Sequence, residues 1–367
     1  MAGARAADAG VSAPESVVCA LIEDIFGALG FTGPERAVLT ETLLEASRAG
    51  YHSHGVMRIP TFAEDTQAGI IVPAVMPKVV HETDAAVMID GRRCLGPVSA
   101  VFAVDRAVAK ARAAGIGCAA VRRGNDIARL GAYVGAPARE GLLTLILVND
   151  AGGGACVAPF GSAAPFLSTN PLACGIPRAP GEPPLVIDIS TSVVALGKIR
   201  MAANRGEAVP EGWLIDRAGR ATTEPAGFFD APRSASLLPL GGAEDGHKGF
   251  LLSLIVEAFA GALAGAGMSR GNEKEDQGNG LFVLAADPQA LGRGRDFAQA
   301  MEAFVAGLEA LPAAEGTTGV RLPGARAGRG PGGPYPIDGP TWARIRAILD
   351  RLSLDADYAV TPASGGE

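Results

Sequence analysis

The sequence predicts an α/β fold in which a sheet, covered by helices on both faces, is joined to helical segments from both ends of the chain. Helical spacing of apolar residues dominates up to about residue 76 and returns after Asp245. Between these segments the apolar residues form short, nearly continuous runs, which are typical of strands buried on both sides. The length of 367 residues also favours two domains over one.

The first segment is predicted to be a helical hairpin. Ser12-Ala13-Pro14-Glu15 has the form of a capping box with proline in the first turn, and apolar residues then recur at helical spacing from Val17 to Leu29. Thr32-Gly33-Pro34-Glu35 repeats this device and opens a second helix that ends at Gly50. The hairpin therefore delivers a loop at residues 51–58.

Short apolar runs predict strands in the middle of the chain. They cover residues 86–89, 118–121, 142–148 and 185–189. A helical pattern from Ala100 to Ala114 separates the first two runs and stops at Gly115.

The C-terminal part is predicted to be mostly helical. Residues 250–264 are apolar nearly all round, with Glu257 as the exception, so we predict a buried helix. The charged, glycine-rich residues 269–280 predict a surface loop before a late strand. Two further helices are predicted at about residues 296–311 and 341–352.

These patterns define the predicted domain organisation. A disordered arm at residues 1–12 precedes a helical domain. The two parts of that domain are residues 13–76 and residues 241–355, and the second part contains the late strand at 281–286. The sheet domain occupies residues 77–240, and residues 356–367 form a tail.

Composition and charge exclude several classes of protein. The formal net charge is -7 and the chain has no basic stripe, which argues against a nucleic-acid partner. The five cysteines are widely spaced and form no C-x-x-C motif, so they predict reduced core residues and neither a disulfide framework nor a zinc site. No signal peptide and no membrane-spanning stretch is found. We therefore predict a cytoplasmic protein that binds no metal and no membrane.

The loop after the hairpin carries the first residues with candidate chemistry. His54 can accept or donate a proton near neutral pH, and the fork-shaped cation of Arg58 suits a carboxylate. Together they indicate a small acidic substrate. Considered alone, the two residues are more typical of solvated cations at the C-terminus of a helix.

Four further motifs follow the loop in a characteristic order. They are Ser168-Thr169-Asn170-Pro171-Leu172-Ala173, the run from Val186 to Val194 leading to Gly197-Lys198, Pro210-Glu211-Gly212-Trp213, and Gly246-His247-Lys248-Gly249. With the His54 loop they closely resemble the malate/L-lactate dehydrogenase family of NAD(P)-dependent oxidoreductases, over about residues 13 to 352. The resemblance implies a mixed-sheet, three-layer domain with non-Rossmann cofactor binding, NAD or NADP as the cofactor, a small carboxylate substrate and a homodimer.

The resemblance also implies roles for individual residues. His54 would donate the proton with support from Ser53 and Asp188, whose carboxylate would raise the pKa of the imidazole. Substrate would be bound by Arg58, Thr169 and Asn170. The cofactor would contact Asn125, Asp126, Ile189, Ser190, Thr191, Ser192, His247, Lys248, Gly249, Leu322, Pro323 and Gly324.

Some of these roles have a physical basis and a plainer alternative. Lys248 leads into a predicted helix N-terminus, which favours a phosphate, although a simple N-cap loop has the same pattern. Asp188 is also consistent with a polar strand end, and Ser53 with a loop hydroxyl. The glycine run at residues 152–154 is no Rossmann fingerprint, because Val157 stands at the third glycine position.

Three positions depart from the family pattern. Asp126 stands where the family commonly has a histidine, and His52 and Ala325 stand where it usually has acidic residues. An aspartate does not donate a proton at pH 7 unless its pKa is strongly perturbed, so proton donation falls to His54. The leading hypothesis is hydride transfer between NAD(P) and a 2-oxo/2-hydroxy acid or a related cyclic imine carboxylate. The alternative is a redox-inactive or repurposed biosynthetic member of the same fold.

Overall fold

Helices and strands alternate along much of the chain. The computed structural model describes residues 10–151, 154–230, 233–269, 278–324 and 333–363, so Gly152, Gly153 and Ala325 lie outside the described residues. Its strands are β1 (Val11–Ala13), β2 (Lys78–Glu82), β3 (Ala86–Asp90), β4 (Ile116–Gly124), β5 (Leu143–Ala151), β6 (Leu172–Ile176), β7 (Leu185–Ile189), β8 (Leu214–Asp216), β9 (Ala221–Thr222), β10 (Ala235–Leu237), β11 (Gly278–Ala286), β12 (Tyr335–Ile337) and β13 (Thr361–Pro362). Its α-helices are α1 (Glu15–Ala28), α2 (Gly33–Arg48), α3 (Ile59–Gln67), α4 (Gly96–Ala114), α5 (Gly131–Arg139), α6 (Leu196–Arg205), α7 (Gly242–Asp245), α8 (His247–Val256), α9 (Gly294–Glu309) and α10 (Gly339–Arg351).

The largest sheet has seven strands in the order β2-β3-β4-β11-β5-β6-β7. Strands β3 and β4 are parallel and are connected by α4, whereas the other neighbouring pairs are antiparallel. The predicted mixed sheet is therefore confirmed. Its strand order also differs from that of a parallel dinucleotide-binding fold.

The late strand occupies the middle of this sheet. Strand β11 begins at Gly278 and pairs with β4 on one side and β5 on the other. Its residues Leu281 and Val283 are buried. The prediction assigned this strand to the helical domain, outside the sheet domain of residues 77–240, but the structure places it inside the sheet. The reason is physical: an apolar strand satisfies its backbone donors and acceptors best when it has a neighbour on each side.

Both faces of the sheet are covered, as the apolar runs predicted. Helices α4 and α5 pack on one face, around residues such as Val104 and Val134. Helix α8 and the π-helical residues 257–263 that continue it cover the other face, around Val256 and Phe282. Segments on both sides of residue 240 thus build one layered unit, while the other predicted domain boundaries stay predictions.

The prediction that residues 250–264 are buried all round is wrong for the single chain. Small residues and Val256 face the sheet, but the opposite side of the helix is exposed. The side chains on that side are Leu251, Leu254, Ile255, Phe259 and Leu263, which are 40 to 56% exposed. A helix that packs on a sheet buries only one stripe, so its second apolar stripe remains uncovered.

The two ends of the chain meet in a second core. Helices α1, α2, α3 and α10 surround residues such as Phe26, Phe62 and Ile345, which are 0% exposed. Strand β1 pairs with β12 and β13, so the helical segments from both chain ends are also joined through backbone hydrogen bonds.

Strand β1 corrects two predictions about the N-terminus. Residues 11 and 12 belong to a strand and not to a disordered arm, and Thr361 and Pro362 of the predicted tail pair with them. Ser12 opposes Pro336 in β1 and does not cap a helix. Helix α1 instead begins after Pro14, without a side-chain cap. Pairing with strands on both sides satisfies more backbone groups at this site than a capping box would.

The second capping box is confirmed and fixes the start of α2. The Glu35 carboxylate accepts hydrogen bonds from the backbone N–H and the hydroxyl of Thr32, both at 2.8 Å. It also accepts one from the N–H of Ala74 at 3.2 Å. Helix α2 therefore begins where the motif predicts, and it ends at Arg48, directly before the His54 loop.

A small third sheet supports α6. Strands β10, β8 and β9 are antiparallel in that order. With α6 they enclose an apolar cluster that includes Ile199 and Phe228. This cluster holds one face of α6 in place and leaves its other face toward the His54 loop.

Candidate active site

A cavity of about 640 Å³ lies between the His54 loop, α6, α10 and the ends of β4 and β5. Five of the residues predicted to act on substrate or cofactor line it, namely Ser53, His54, Arg58, Asp126 and Thr169. The size is within the range typical of small-molecule sites. The cavity therefore brings together residues that are far apart in the chain.

Two short 3₁₀ turns, His52–His54 and Val56–Arg58, hold the loop against α2. A Cβ atom at Gly55 would lie 2.1 Å from the hydroxyl oxygen of Ser47. That oxygen accepts a hydrogen bond from the N–H of Val56 at 3.0 Å. Glycine is thus required for the close approach that orients His54.

His54 is half-buried, and its Nδ1 atom lies 3.1 Å from the hydroxyl oxygen of Ser53. Burial lowers the pKa of His54 to about 4, and the charges of Arg58 and Arg129 lower it further in the same direction. The imidazole is therefore neutral at pH 7. The predicted raising of its pKa by Asp188 is wrong.

Asp188 is engaged elsewhere. Its carboxylate accepts a hydrogen bond from the N–H of Gly131 at 2.8 Å and lies 3.4 Å from Nε of Arg129. Burial raises the pKa of Asp188, while these two contacts act against that shift. The Asp188 carboxylate therefore contacts the start of α5. It also contacts Arg129, whose charge acts on His54.

Arg129 lies outside the cavity lining, but its charge acts on His54, and it was not among the predicted site residues. Only 4% of it is exposed, and its guanidinium donates to both carboxylate oxygens of Glu45, at 2.7 and 2.8 Å. It also lies 4.5 Å from the ring centre of Tyr51. Its signal in the sequence is a lone charge between the apolar residues Ile127 and Leu130.

Arg58 and Asp126 form an ion pair inside the cavity. The other oxygen of the Asp126 carboxylate accepts a hydrogen bond from the N–H of Ala128 at 2.7 Å. Burial lowers the pKa of Arg58 to about 10, and the charge of Asp65 opposes that shift. Arg58 is therefore a cation at neutral pH. Its counterion is Asp126, the residue that stands where the family commonly has a histidine.

The two predicted substrate-binding residues of the motif at 168–170 lie in different places, Thr169 in the cavity wall and Asn170 in the core. Thr169 lines the cavity, and its carbonyl accepts hydrogen bonds from the N–H and the hydroxyl of Thr191, both at 3.0 Å. Asn170 is fully buried, and its amide donates to Ser253 and to Glu257, both at 2.7 Å. The structure does not bring Asn170 to the cavity.

The predicted cofactor segments gather along β7, beside the cavity and outside its lining. The N–H of Val186 faces the carbonyl of Pro323 at 3.4 Å, which docks residues 322–324 on the strand. A Cβ atom at Gly249 would lie 2.5 Å from the carbonyl oxygen of Thr191, so the start of α8 packs on residues 190–192.

Two groups predicted to bind a phosphate at the start of α8 already have partners within the chain. The N–H of Gly249 donates to the carbonyl of Leu240 at 3.0 Å and is not available to a phosphate. Lys248 is exposed and lies 3.1 Å from the carboxylate of Asp245. Asn125, another predicted cofactor contact, is buried, and its side-chain amide donates to the carbonyl of Cys94 at 2.8 Å.

Four further charged residues line the cavity without having been predicted, namely Asp150, Arg200, Asp338 and Arg344. Burial, followed by the charge of Glu257, raises the pKa of Asp150 to about 6. Arg200 and Arg344 are contributed by α6 and α10. No local motif marks these positions, because each reaches the cavity only through the packing of its helix or strand.

Comparison with known proteins identifies the fold and the motifs. The sequence profile of the malate/L-lactate dehydrogenase family matches residues 14–330. The chain belongs to this family. The Delta(1)-pyrroline-2-carboxylate/Delta(1)-piperideine-2-carboxylate reductase of Pseudomonas syringae pv. tomato is 36% identical over 315 residues, which is 83% of this chain and 86% of the relative. The (2R)-3-sulfolactate dehydrogenase (NADP(+)) of Chromohalobacter salexigens is 35% identical over 82% of this chain and 85% of its own.

Solved structures agree with this membership. The crystal structure of the Delta(1)-piperideine-2-carboxylate reductase of Pseudomonas syringae superposes with a TM-score of 0.75 at 31% identity, covering 93% of this chain and 98% of the other. The family prediction is therefore confirmed, as is the predicted fold class. Within the described parts of the chain, no helix is both long enough and apolar enough to cross a membrane.

Proposed function

We propose that the protein is an NAD(P)-dependent oxidoreductase that interconverts a 2-hydroxy acid and a 2-oxo acid, or reduces a related cyclic imine carboxylate. The observation that carries the proposal is the convergence of Ser53, His54 and Arg58 on one cavity in a member of this family. When bound, the nicotinamide would supply or accept the hydride. The protein would supply the proton transfer and the carboxylate contact.

His54 moves the proton. In the oxidation direction the substrate hydroxyl proton passes to Nε2 of the neutral imidazole, while Nδ1 faces Ser53. In the reduction direction the same atom returns a proton. A bound carboxylate beside Arg58 offsets one of the charges that lower the pKa of His54, so binding favours the protonated imidazole.

Arg58 holds the substrate carboxylate. It is a cation that is fixed in the cavity wall, and its fork suits a planar anion. Asp126 already occupies part of that fork. The substrate therefore binds to an arginine whose charge is partly neutralised. Its affinity depends on how strongly Asp126 competes with the substrate carboxylate for Arg58.

The predicted cofactor segments pack together beside the cavity. Cβ atoms at Gly249 and Gly324 would lie 2.3 Å from the backbone nitrogen of Leu240 and 2.8 Å from that of Val186, so glycine allows both segments to pack closely on their neighbours. The predicted contacts at residues 189–192, 247–249 and 322–324, together with Asn125 and Asp126, would hold the cofactor. Both NAD and NADP remain candidates, and the sulfolactate dehydrogenase relative is named for NADP(+).

A homodimer is the assembly that we propose. The exposed apolar stripe on α8 and its π-helical extension has the character of an interface and not of a surface in water. All five cysteines are free thiols, which supports a reducing compartment such as the cytoplasm. The proposed partners are thus a small carboxylate substrate and a second copy of the chain.

The alternative, a redox-inactive or repurposed member, is not favoured. The relatives described above are named as a dehydrogenase and a reductase, and His54 and Arg58 are both retained in the cavity. Activity is tested by measuring oxidation of NADH and NADPH with a panel of 2-oxo acids and cyclic imine carboxylates. Absence of turnover with every pair would contradict the proposal.

Two substitutions test the assignment of the two binding regions. Arg58→Ala should raise KM for the acid at least tenfold and leave KM for the cofactor nearly unchanged, because a charged contact to the carboxylate is lost. Lys248→Ala should have the opposite pattern. Equal effects of both substitutions on both constants would contradict the assignment.

A further inference from the structure

One face of α6 forms a wall of the cavity and begins at the catalytic loop. Gly197, Arg200, Met201 and Asn204 all line the cavity, and their spacing of three, four and seven residues places them on one helix face. A Cβ atom at Gly197 would lie 2.9 Å from the Cβ atom of Ser53. Helix α6 therefore runs along the cavity away from the proposed site of proton transfer.

Arg200 lies one turn along this face and has no acidic partner among the residues that the structure describes. The other two arginines of the cavity are paired. Arg58 contacts Asp126, and Arg344 donates to both carboxylate oxygens of Glu64, at 3.1 and 2.6 Å.

The guanidinium of Arg200 is held by an aromatic ring. Its central carbon lies 4.4 Å from the ring centre of Phe229, on the apolar cluster behind α6. Stacking of this kind fixes the plane of the guanidinium and leaves the N–H groups at its edge free to bind an anion. The side chain is thus both oriented and unsatisfied.

The surrounding charges favour an anion at this position. Burial lowers the pKa of Arg200, and the charges of Arg344 and Arg233 lower it further, so two other cations act on its guanidinium. Of the acids that line the cavity, Asp338 caps α10 by accepting from the N–H of Thr341 at 2.7 Å. Asp126 is paired, and Asp150 lies on a different element, near the end of β5. An anion beside Arg200 would offset the charge of a guanidinium that has no acidic partner in the described parts of the chain.

We propose that Arg200 binds a second anionic group of the substrate, so that the substrate is a short 2-oxo or 2-hydroxy acid with another acid group at its far end. This inference rests on the proposed function. One helical turn of about 5 Å separates the Ser53 contact at Gly197 from Arg200, a distance that a chain of a few carbon atoms spans. Arg58 would hold the carboxylate next to the reacting carbon, and Arg200 would select for the distal charge.

The test compares two substrates of equal carbon number in wild type and Arg200→Met. Oxaloacetate carries a distal carboxylate, and 2-oxobutyrate ends in a methyl group. We expect kcat/KM for oxaloacetate to fall about ten- to hundredfold in the variant, the value of a charge-assisted hydrogen bond, and kcat/KM for 2-oxobutyrate to change less than about threefold. Arg205→Met is the matched control, because Arg205 is exposed on the last turn of the same helix and lies outside the cavity lining.

Two outcomes would overturn the proposal. Equal losses for both substrates would show that Arg200 acts through general structure. A rise in KM for NADH or NADPH, with no change in substrate selectivity, would show that Arg200 serves a cofactor phosphate. Arg200→Lys, which keeps the charge and removes the fork, should retain part of the selectivity and provides a second variant if the first does not fold.

A binding experiment separates this proposal from the proposed function. Succinate and butyrate lack the reacting carbonyl, so their binding can be measured by calorimetry without any turnover. Binding of succinate that exceeds that of butyrate and is lost in Arg200→Met would support the subsite even if no oxo acid is reduced. Equal or absent binding of the two acids to the wild-type protein would overturn it.

Discussion

Replacement of Asp126 by asparagine should strengthen substrate binding. The Asp126 carboxylate pairs with Arg58, the residue that we assign to the substrate carboxylate, so the two anions compete for one cation. Asparagine keeps the shape of the side chain and an oxygen that can accept from the N–H of Ala128, a contact of 2.7 Å in the wild type. The substitution therefore removes the charge and leaves the local turn in place.

The expected magnitude follows from the exposure of the pair. Two unit charges 4 Å apart interact by about 4 kcal/mol at an effective dielectric constant near 20. The side chains are 28% and 32% exposed, so solvent screens the pair and we reduce this value to about 1–2 kcal/mol. If that energy is released to the substrate, KM for a 2-oxo acid should fall by about tenfold. The free energy of unfolding should fall by about 1 kcal/mol, because Arg58 loses its counterion.

The assay is steady-state kinetics with the acid as the varied substrate and saturating NADH or NADPH. Urea unfolding of the same samples gives the change in stability. The double variant Arg58→Gln/Asp126→Asn is the control, and in that background the second substitution should have no effect on KM. An unchanged or higher KM for the acid in Asp126→Asn, with the fold intact, would refute competition between the two carboxylates.

Three further predictions follow from the same geometry. The pKa of His54 is about 4 in the folded protein, below its ordinary value of 6.5, so the protein loses stability as the pH falls between these values. In His54→Gln, the decrease in the free energy of unfolding between pH 7 and 4.5, measured with urea, should be about 2 kcal/mol smaller than in the wild type. The same substitution should lower kcat by roughly two to four orders of magnitude. Equal pH dependence of the two proteins would contradict this. Gly197→Ala would place a Cβ atom 2.9 Å from the Cβ atom of Ser53, so kcat should fall at least about tenfold. The melting temperature, measured by calorimetry, should stay within a few degrees of the wild-type value. An unchanged kcat would show that Ser53 and His54 tolerate displacement. Leu254→Glu places a charge on the exposed stripe of α8, so light scattering should show a shift from dimer to monomer, whereas a wild-type monomer would rule out the proposed assembly.

Local sequence was sufficient for many elements of the fold. The capping box at Thr32 and Glu35, the helix that stops at Gly115 and the apolar runs that became β3, β4, β5 and β7 depend on contacts within a few residues. Their periodicity is therefore visible in the chain itself. The order of the motifs was likewise enough to identify the family, and five of its predicted site residues line one cavity, namely Ser53, His54, Arg58, Asp126 and Thr169.

Tertiary packing decided what those residues can do. Arg129 reaches the carboxylate of Glu45 from 84 positions away, and in doing so it places a second cation beside His54 and lowers the pKa that the sequence analysis expected to rise. The pairing of Arg58 with Asp126 and the insertion of β11 between β4 and β5 are equally remote in the chain. Helical and strand periods encode which face of an element is apolar, but they contain no information about which distant charge will lie opposite it. Burial and charge pairing between remote elements, and hence the electrostatics of the site, are determined only when the elements pack together.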